Sequence, residues 1–130
     1  MSRIVGIGLD VVDLRRFARL LERHGPAALR RICRDGEVRI AEGPGRIAHV
    51  AGLFAAKEAT MKALGLVEDP CDWRHIEVLR SPSGACDLAL HGRVREAATR
   101  LGAESFALSL SHEGDYATAV VITTIHETTP

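Results

Sequence analysis

The sequence predicts an α+β domain, with helices packed on a small, mostly antiparallel sheet. Three features carry that expectation. Runs rich in Ile and Val lie near the two ends, at Arg3 to Leu9 and Ala117 to Thr124. A long Ala-rich segment without interior proline, Arg46 to Leu64, has helical character. Two short β-patterned runs flank Ser81-Pro82-Ser83-Gly84, a composition suited to a hairpin turn.

The elements follow in order. Arg3 to Leu9 reads as a strand. Asp13 is placed to cap a helix from Leu14 to Arg23, with Leu14, Phe17, Ala18 and Leu21 on one side and Arg16, Arg19 and Arg23 on the other. His24-Gly25-Pro26 ends it. Ala27 to Cys33 is a short helix, Asp35 to Ala41 another, and Gly43-Pro44-Gly45 a break. The long helix then runs to Leu64, with Gly65 as its stop. Val67 to Trp73 reads as a loop containing Pro70. His75 to Arg80 and Cys86 to His91 are strands, Gly92 to Leu101 is an amphipathic helix, and Ser105 to Ser111 is a strand. His112-Glu113-Gly114-Asp115 turns into the last strand. Residues 1–125 are expected to form a single domain, with 126–130 as a frayed tail.

Bulk properties narrow the function. The 130 residues suffice for one core and not two. Seventeen basic and seventeen acidic residues cancel, which argues against a nucleic-acid binder. From Val12 to Arg39, however, eight Arg face four acids, a local excess of +4 suited to an acidic partner. Cys33, Cys71 and Cys86 form neither a C-x-x-C pair nor an even set, which fits a reducing cytoplasm and no zinc site. No stretch approaches the roughly 20 apolar residues needed to cross a bilayer. The N-terminal apolar run is too short for a signal peptide and ends at Asp10.

Two carboxylates stand out. Asp10 closes the run Ile4-Val5-Gly6-Ile7-Gly8-Leu9, and Glu58 lies among alanines on a helix that reads as core. Burying either without a partner is costly. Together they would make a hard-oxygen site for Mg²⁺ and a phosphate ester. Glu58 and Lys62 are spaced for one helix face, where a surface ion pair is the bland explanation, although so Ala-rich a sequence suits a pair beside a packed groove; Lys57 is one residue off that face. Gly6-Ile7-Gly8 lacks the third glycine of a dinucleotide fingerprint and suits close backbone packing instead. Ser109-Leu110-Ser111-His112-Glu113 ends a strand, where polar groups can converge on a cleft or simply satisfy a turn.

In combination these segments are specific. Gly6-Ile7-Gly8-Leu9-Asp10-Val11-Val12, then Phe54-Ala55-Ala56-Lys57-Glu58-Ala59 with Lys62-Ala63-Leu64-Gly65, then Ser109-Leu110-Ser111-His112-Glu113, resemble the holo-acyl-carrier-protein synthase family of small phosphopantetheinyl transferases. Glu37 and the Ile76-Glu77-Val78 run are similar as well. The resemblance implies Mg²⁺-dependent transfer of 4′-phosphopantetheine from coenzyme A to a serine of an acyl carrier protein, releasing adenosine 3′,5′-bisphosphate. It implies Asp10 and Glu58 as metal ligands, and Glu58, Lys62 and His112 as catalytic residues. It places Lys62, Gly65, Gly84, Ser111 and His112 at coenzyme A; by its helix position, one residue off the Glu58–Lys62 face, Lys57 is expected to reach another phosphate of it. It places Arg16 against the carrier, and the Arg16, Arg19 and Arg23 stripe gives that docking a physical basis; it implies a homotrimer with coenzyme A between subunits. Leu53, Ser81, Ala85 and Cys86 depart from the family pattern. A binding or assembly protein with weakened catalysis on the same scaffold is the alternative they motivate.

Overall fold

The computed structural model describes residues 1–39, 43, 45–66 and 72–128, and these described residues form five helices, one 3₁₀ turn and five strands. The proposed loop at Val67 to Trp73, the end of the helix expected to reach Ala41, and Pro44 lie wholly or partly outside the described residues, as does Cys71. The order is β1 (Ser2–Asp13), α1 (Leu14–His24), α2 (Pro26–Ile32), α3 (Asp35–Arg39), α4 (Arg46–Ala63), a 3₁₀ turn (Trp73–His75), β2 (Ile76–Arg80), β3 (Cys86–Leu90), α5 (Gly92–Leu101), β4 (Ser105–Glu113) and β5 (Tyr116–His126).

The strands form two antiparallel sheets. One has the order β1-β5-β4, and the other is the β2-β3 hairpin. The α+β expectation therefore holds, with the sheet divided in two. Both outer-sheet ladders run further than the sequence pattern suggested. β1 pairs with β5 from Ser2↔His126 to Asp13↔Tyr116, with an irregularity at Val5. Asp10 thus sits within a strand, opposite Ala119, and not at its end. β4 continues to Glu113, so the turn shrinks to Gly114-Asp115, where Gly114 takes φ 56°. β5 extends through His126, and the Glu127 N–H donates to Met1 O at 2.9 Å. Those two residues are tied in where a frayed tail was expected.

Local signals set the helix limits. The Asp13 carboxylate accepts from the backbone N–H of Arg15 (2.9 Å) and Arg16 (3.2 Å), so the predicted cap forms. α4 ends in a Schellman arrangement: Gly65 N–H donates to Lys62 O at 3.1 Å and Leu66 N–H to Met61 O at 2.8 Å. Gly65 supplies the positive φ of 71° that this turn requires.

α4 is buried nearly all round and lies against the inner face of the three-stranded sheet. Its contact with β1 is backbone on backbone. A Cβ on Gly6 would stand 2.0 Å from Ala63 O, and one on Gly8 1.8 Å from Ala59 O. Ala55, Ala56, Ala59 and Ala63 present little side chain on α4, and the strand presents none at Gly6 and Gly8. The main core joins α1, α2, α4 and the sheet. A second cluster, including Met61, Ile76, Val94 and Ala98, seats α5.

The two glycines are the tightest constraint. Gly8→Ala is expected to cost about 1–3 kcal/mol or more, because neither backbone can yield without moving a whole element. Urea unfolding measures it; an unchanged midpoint would mean that β1 and α4 separate freely.

Candidate active site

β1 and α4 meet where Asp10 and Glu58 open into one groove. The groove has a volume of about 560 Å³ and is lined by both carboxylates, by Arg16, Arg19 and Arg23 of α1, and by Phe17 and Phe54. Strand alternation puts Gly6, Gly8 and Asp10 on the inner face of β1, and α1 crosses beside it. The basic stripe and the two acids thus share one cleft, a juxtaposition that helical periodicity alone does not reveal.

Each carboxylate is held by one oxygen. Lys62 Nζ donates to Asp10 Oδ1 at 3.1 Å and to Leu9 O at 2.9 Å. Trp73 Nε1 donates to Glu58 Oε1 at 2.7 Å. Among the described residues, Asp10 Oδ2 and Glu58 Oε2 accept nothing. The ion pair that the i,i+4 spacing of Glu58 and Lys62 allows does not form; Lys62 turns to β1 instead, while Glu58 lies at the groove. Two hard oxygens in an open cleft, with room for water and phosphate oxygens, fit the sparse protein ligation that Mg²⁺ takes. They would not suit a fully protein-made cage.

Lys57 corrects an expectation. It was assigned to coenzyme A, yet its side chain is 0% exposed. Its ammonium donates to Ile32 O (2.7 Å), Glu37 Oε1 (2.8 Å) and Trp73 O (3.1 Å), which uses all three protons. Glu37 in turn accepts from Arg34 N–H (2.8 Å) and Val78 N–H (3.1 Å). Lys57 is a buried structural hub with nothing left for a phosphate. Beside it, burial pushes the Cys33 thiol up to about 11, the Lys57 charge opposing and the Glu37 charge reinforcing the rise. Cys33 is therefore no nucleophile at neutral pH.

The remaining candidates are spread out. His112 lies on the same sheet face as Asp10, but on β4, two strands away and two residues further along, or about 12 Å at ordinary strand spacing. Ser111 pairs with Thr118, which pairs with Val11, on the opposite face. One chain therefore does not gather Ser111, His112 and the carboxylates round one point. Gly65 (φ 71°) and Gly84 (φ 87°) are exposed turn positions with open space where a Cβ would be. Leu53, one of the departures from the family pattern, is 4% exposed in the main core and supplies packing there. His49 is shifted down from its ordinary value, first by burial and then by the Arg80 charge.

Sequence reasoning missed Trp73. Its ring packs on Phe54 at 5.6 Å between centroids, and Phe54 on Phe17 at 5.5 Å. These rings border an adjoining, mainly apolar cavity of about 330 Å³ that also includes Leu20 and Ile32. A lone tryptophan beside a loop gives no periodic signal. Its rarity in a chain with 4% aromatic residues was the one available cue.

Residues 6–121 match the model of the 4′-phosphopantetheinyl transferase superfamily. The holo-[acyl-carrier-protein] synthase of Halorhodospira halophila is 44% identical over 92% of this chain and 96% of its own length. That of Geobacter sulfurreducens is 39% identical over the same shares. Among solved structures, the ACPS–CoA complex of Chronobacterium ammoniagenes superposes with a TM-score of 0.82 at 31% identity, covering 98% of this chain and 99% of that one. The chain belongs to the 4′-phosphopantetheinyl transferase superfamily.

The Lys57 hub yields a sharp expectation. Lys57→Met strands the Glu37 carboxylate in the interior and should cost about 3–5 kcal/mol, whereas the paired change with Glu37→Gln should recover part of that loss. Urea unfolding of the single and double variants reads this; equal destabilisation in both would remove the ion pair as the cause.

Proposed function

We propose that this protein is a holo-[acyl-carrier-protein] synthase, transferring 4′-phosphopantetheine from coenzyme A to a serine hydroxyl of an acyl carrier protein. Family membership supports the reaction class. The observation that carries the site assignment is the shared groove of Asp10, Glu58 and the α1 arginines. A new P–O bond forms between the serine oxygen and the phosphorus bearing the pantetheine. The pyrophosphate P–O bond breaks, and adenosine 3′,5′-bisphosphate leaves with that electron pair. The serine proton passes to solvent through a base at the site.

Asp10 and Glu58 would hold Mg²⁺, which supplies positive charge against the pyrophosphate oxygens when bound. Asp10 is kept in position by Lys62, whose half-exposed ammonium can turn towards a phosphate oxygen while its stem stays along β1. Glu58 projects a carboxylate oxygen into the groove, where it would also orient a water that takes the serine proton. Stabilising negative charge on phosphate oxygens supplies most of the acceleration in such a transfer. Arg16, Arg19 and Arg23 form a positive rim beside this point, suited to the acidic helix of a carrier.

Coenzyme A would lie between subunits of a homotrimer. The outer sheet face supports this reading. Ile7, Leu9 and Val11 are 66, 60 and 56% exposed in one row of β1, an apolar stripe that a second copy would cover. Ser111 lies on that outer face and His112 on the inner one. A cofactor between neighbours would meet Ser111 of one subunit and the carboxylates of the next, with His112 donating to a phosphate.

Two measurements test these assignments. Incubation with coenzyme A, Mg²⁺ and apo carrier should add the mass of the prosthetic arm, and Asp10→Ala or Glu58→Ala should reduce that rate by at least about 100-fold with folding intact. Full activity in either variant would refute the site. Sedimentation should give a trimer that Leu9→Lys converts to monomer; a wild-type monomer would refute the interface.

A further inference from the structure

We propose that Trp73 is a positioning residue for the Glu58 carboxylate, fixing which of its oxygens faces the groove. The inference rests on the assignment of Glu58 as a Mg²⁺ ligand. Its grounds are geometric. The indole N–H occupies Oε1 at 2.7 Å, which leaves Oε2 as the oxygen available in the cleft. Without a partner on Oε1, a glutamate side chain would sample several rotamers and could present either oxygen or both. Hydrogen bonds of this kind to a metal-binding carboxylate commonly set its orientation, and losing one lowers metal affinity about 10–100-fold.

Trp73 is itself held at both ends. Its backbone carbonyl accepts from Lys57 Nζ at 3.1 Å, and its ring rests on Phe54 at 5.6 Å. Asp72 caps the same 3₁₀ turn by accepting from Arg74 N–H at 2.8 Å. Consecutive residues of α4 therefore grip one tryptophan: Lys57 by its backbone, from inside the core, and Glu58 by its indole, from the groove. That double attachment conveys the rigidity of the buried Lys57–Glu37 pair to the carboxylate in the cleft. A tryptophan serving only to fill space would need neither contact.

Trp73→Phe keeps an aromatic ring against Phe54 and removes only the N–H donor. Carrier modification by this variant should need about 10–100-fold more Mg²⁺ for half-saturation, with the rate recovering as Mg²⁺ is raised. An unchanged Mg²⁺ requirement in a folded variant would overturn the proposal. If the variant does not fold, the wild-type protein decides the matter. Trp73 is the only tryptophan, so the indole region of a ¹⁵N spectrum holds one side-chain resonance. That resonance should move on addition of Mg²⁺ with coenzyme A, and again in Glu58→Gln. A resonance indifferent to both would overturn the proposal. Asp10→Ala and Glu58→Ala separate the two levels: if both abolish activity while Trp73→Phe leaves the Mg²⁺ requirement alone, the site stands and the positioning role falls.

Discussion

The close approach of β1 to α4 is the constraint on which the rest of the molecule depends. Side-chain-free positions at Gly6 and Gly8 let strand backbone rest on the carbonyls of Ala59 and Ala63. At ordinary strand–helix separation, side chains would fill that space and hold the elements several ångströms further apart. Lys62 would then lose its bond to Leu9 O, and with it the bridge to Asp10. Asp10 and Glu58, separated by 48 positions in sequence, line one groove because the backbone between them is stripped to glycine and alanine. The helix contributes no large side chains on this side, so its stability must come from the opposite flank. Val50, Leu53 and the adjoining core of α1 and α2 supply it there.

A second organising element is the fully buried Lys57–Glu37 pair. Isolated, either charge would be expensive to bury; here each is saturated by hydrogen bonds. The partners come from α2 (Ile32 O), α3 (Glu37), the 3₁₀ turn (Trp73 O) and β2 (Val78 N–H). The pair therefore fastens together segments that otherwise share little secondary structure. A buried ion pair is seldom the most stabilising choice for a core. Its advantage is direction, since an ammonium with three acceptors fixes three carbonyl or carboxylate positions at once, which apolar contacts do not. Direction is what a site built partly on a short turn requires.

Much of this was legible in the sequence, and the rest was not for identifiable reasons. Every described helix was placed to within a residue or two at its start, because caps and stops such as Asp13, Gly25 and Gly65 act locally. The Gly-x-Gly segment was correctly read as close packing. Strand lengths were underestimated because β1, β4 and β5 gain residues from each other's pairing, a non-local effect that leaves Val11 to Asp13 and His112 without a clear pattern of their own. Lys57 was misread because an apolar helix offers no sign that a cation will be buried; only the distant Glu37 and two backbone carbonyls make its burial tolerable. The Glu58–Lys62 spacing suggested a pair that tertiary structure redirected, each residue finding a better partner outside its helix. The sheet face carrying Ser111 was hidden until register was known, since a one-residue difference changes the face.

The redirected pairing explains how one helix serves the interior and the groove together. Successive residues on a helix point about 100° apart, so Lys57 and Glu58 cannot share a surface. Lys57 enters the core, and Glu58 reaches the cleft. Lys62, one turn further on, leans over β1. If Lys62 had closed on Glu58 as a helical ion pair, both groups would have neutralised one another and Asp10 would have stood alone on a strand. Drawing Lys62 across to Asp10 and Trp73 to Glu58 gives each acid a donor on one oxygen and leaves the other for a ligand. The cleft thus retains net negative character at its floor beneath a rim of arginines. A cation bound low and a phosphate-bearing, acidic partner approaching from above would each meet the charge that suits it.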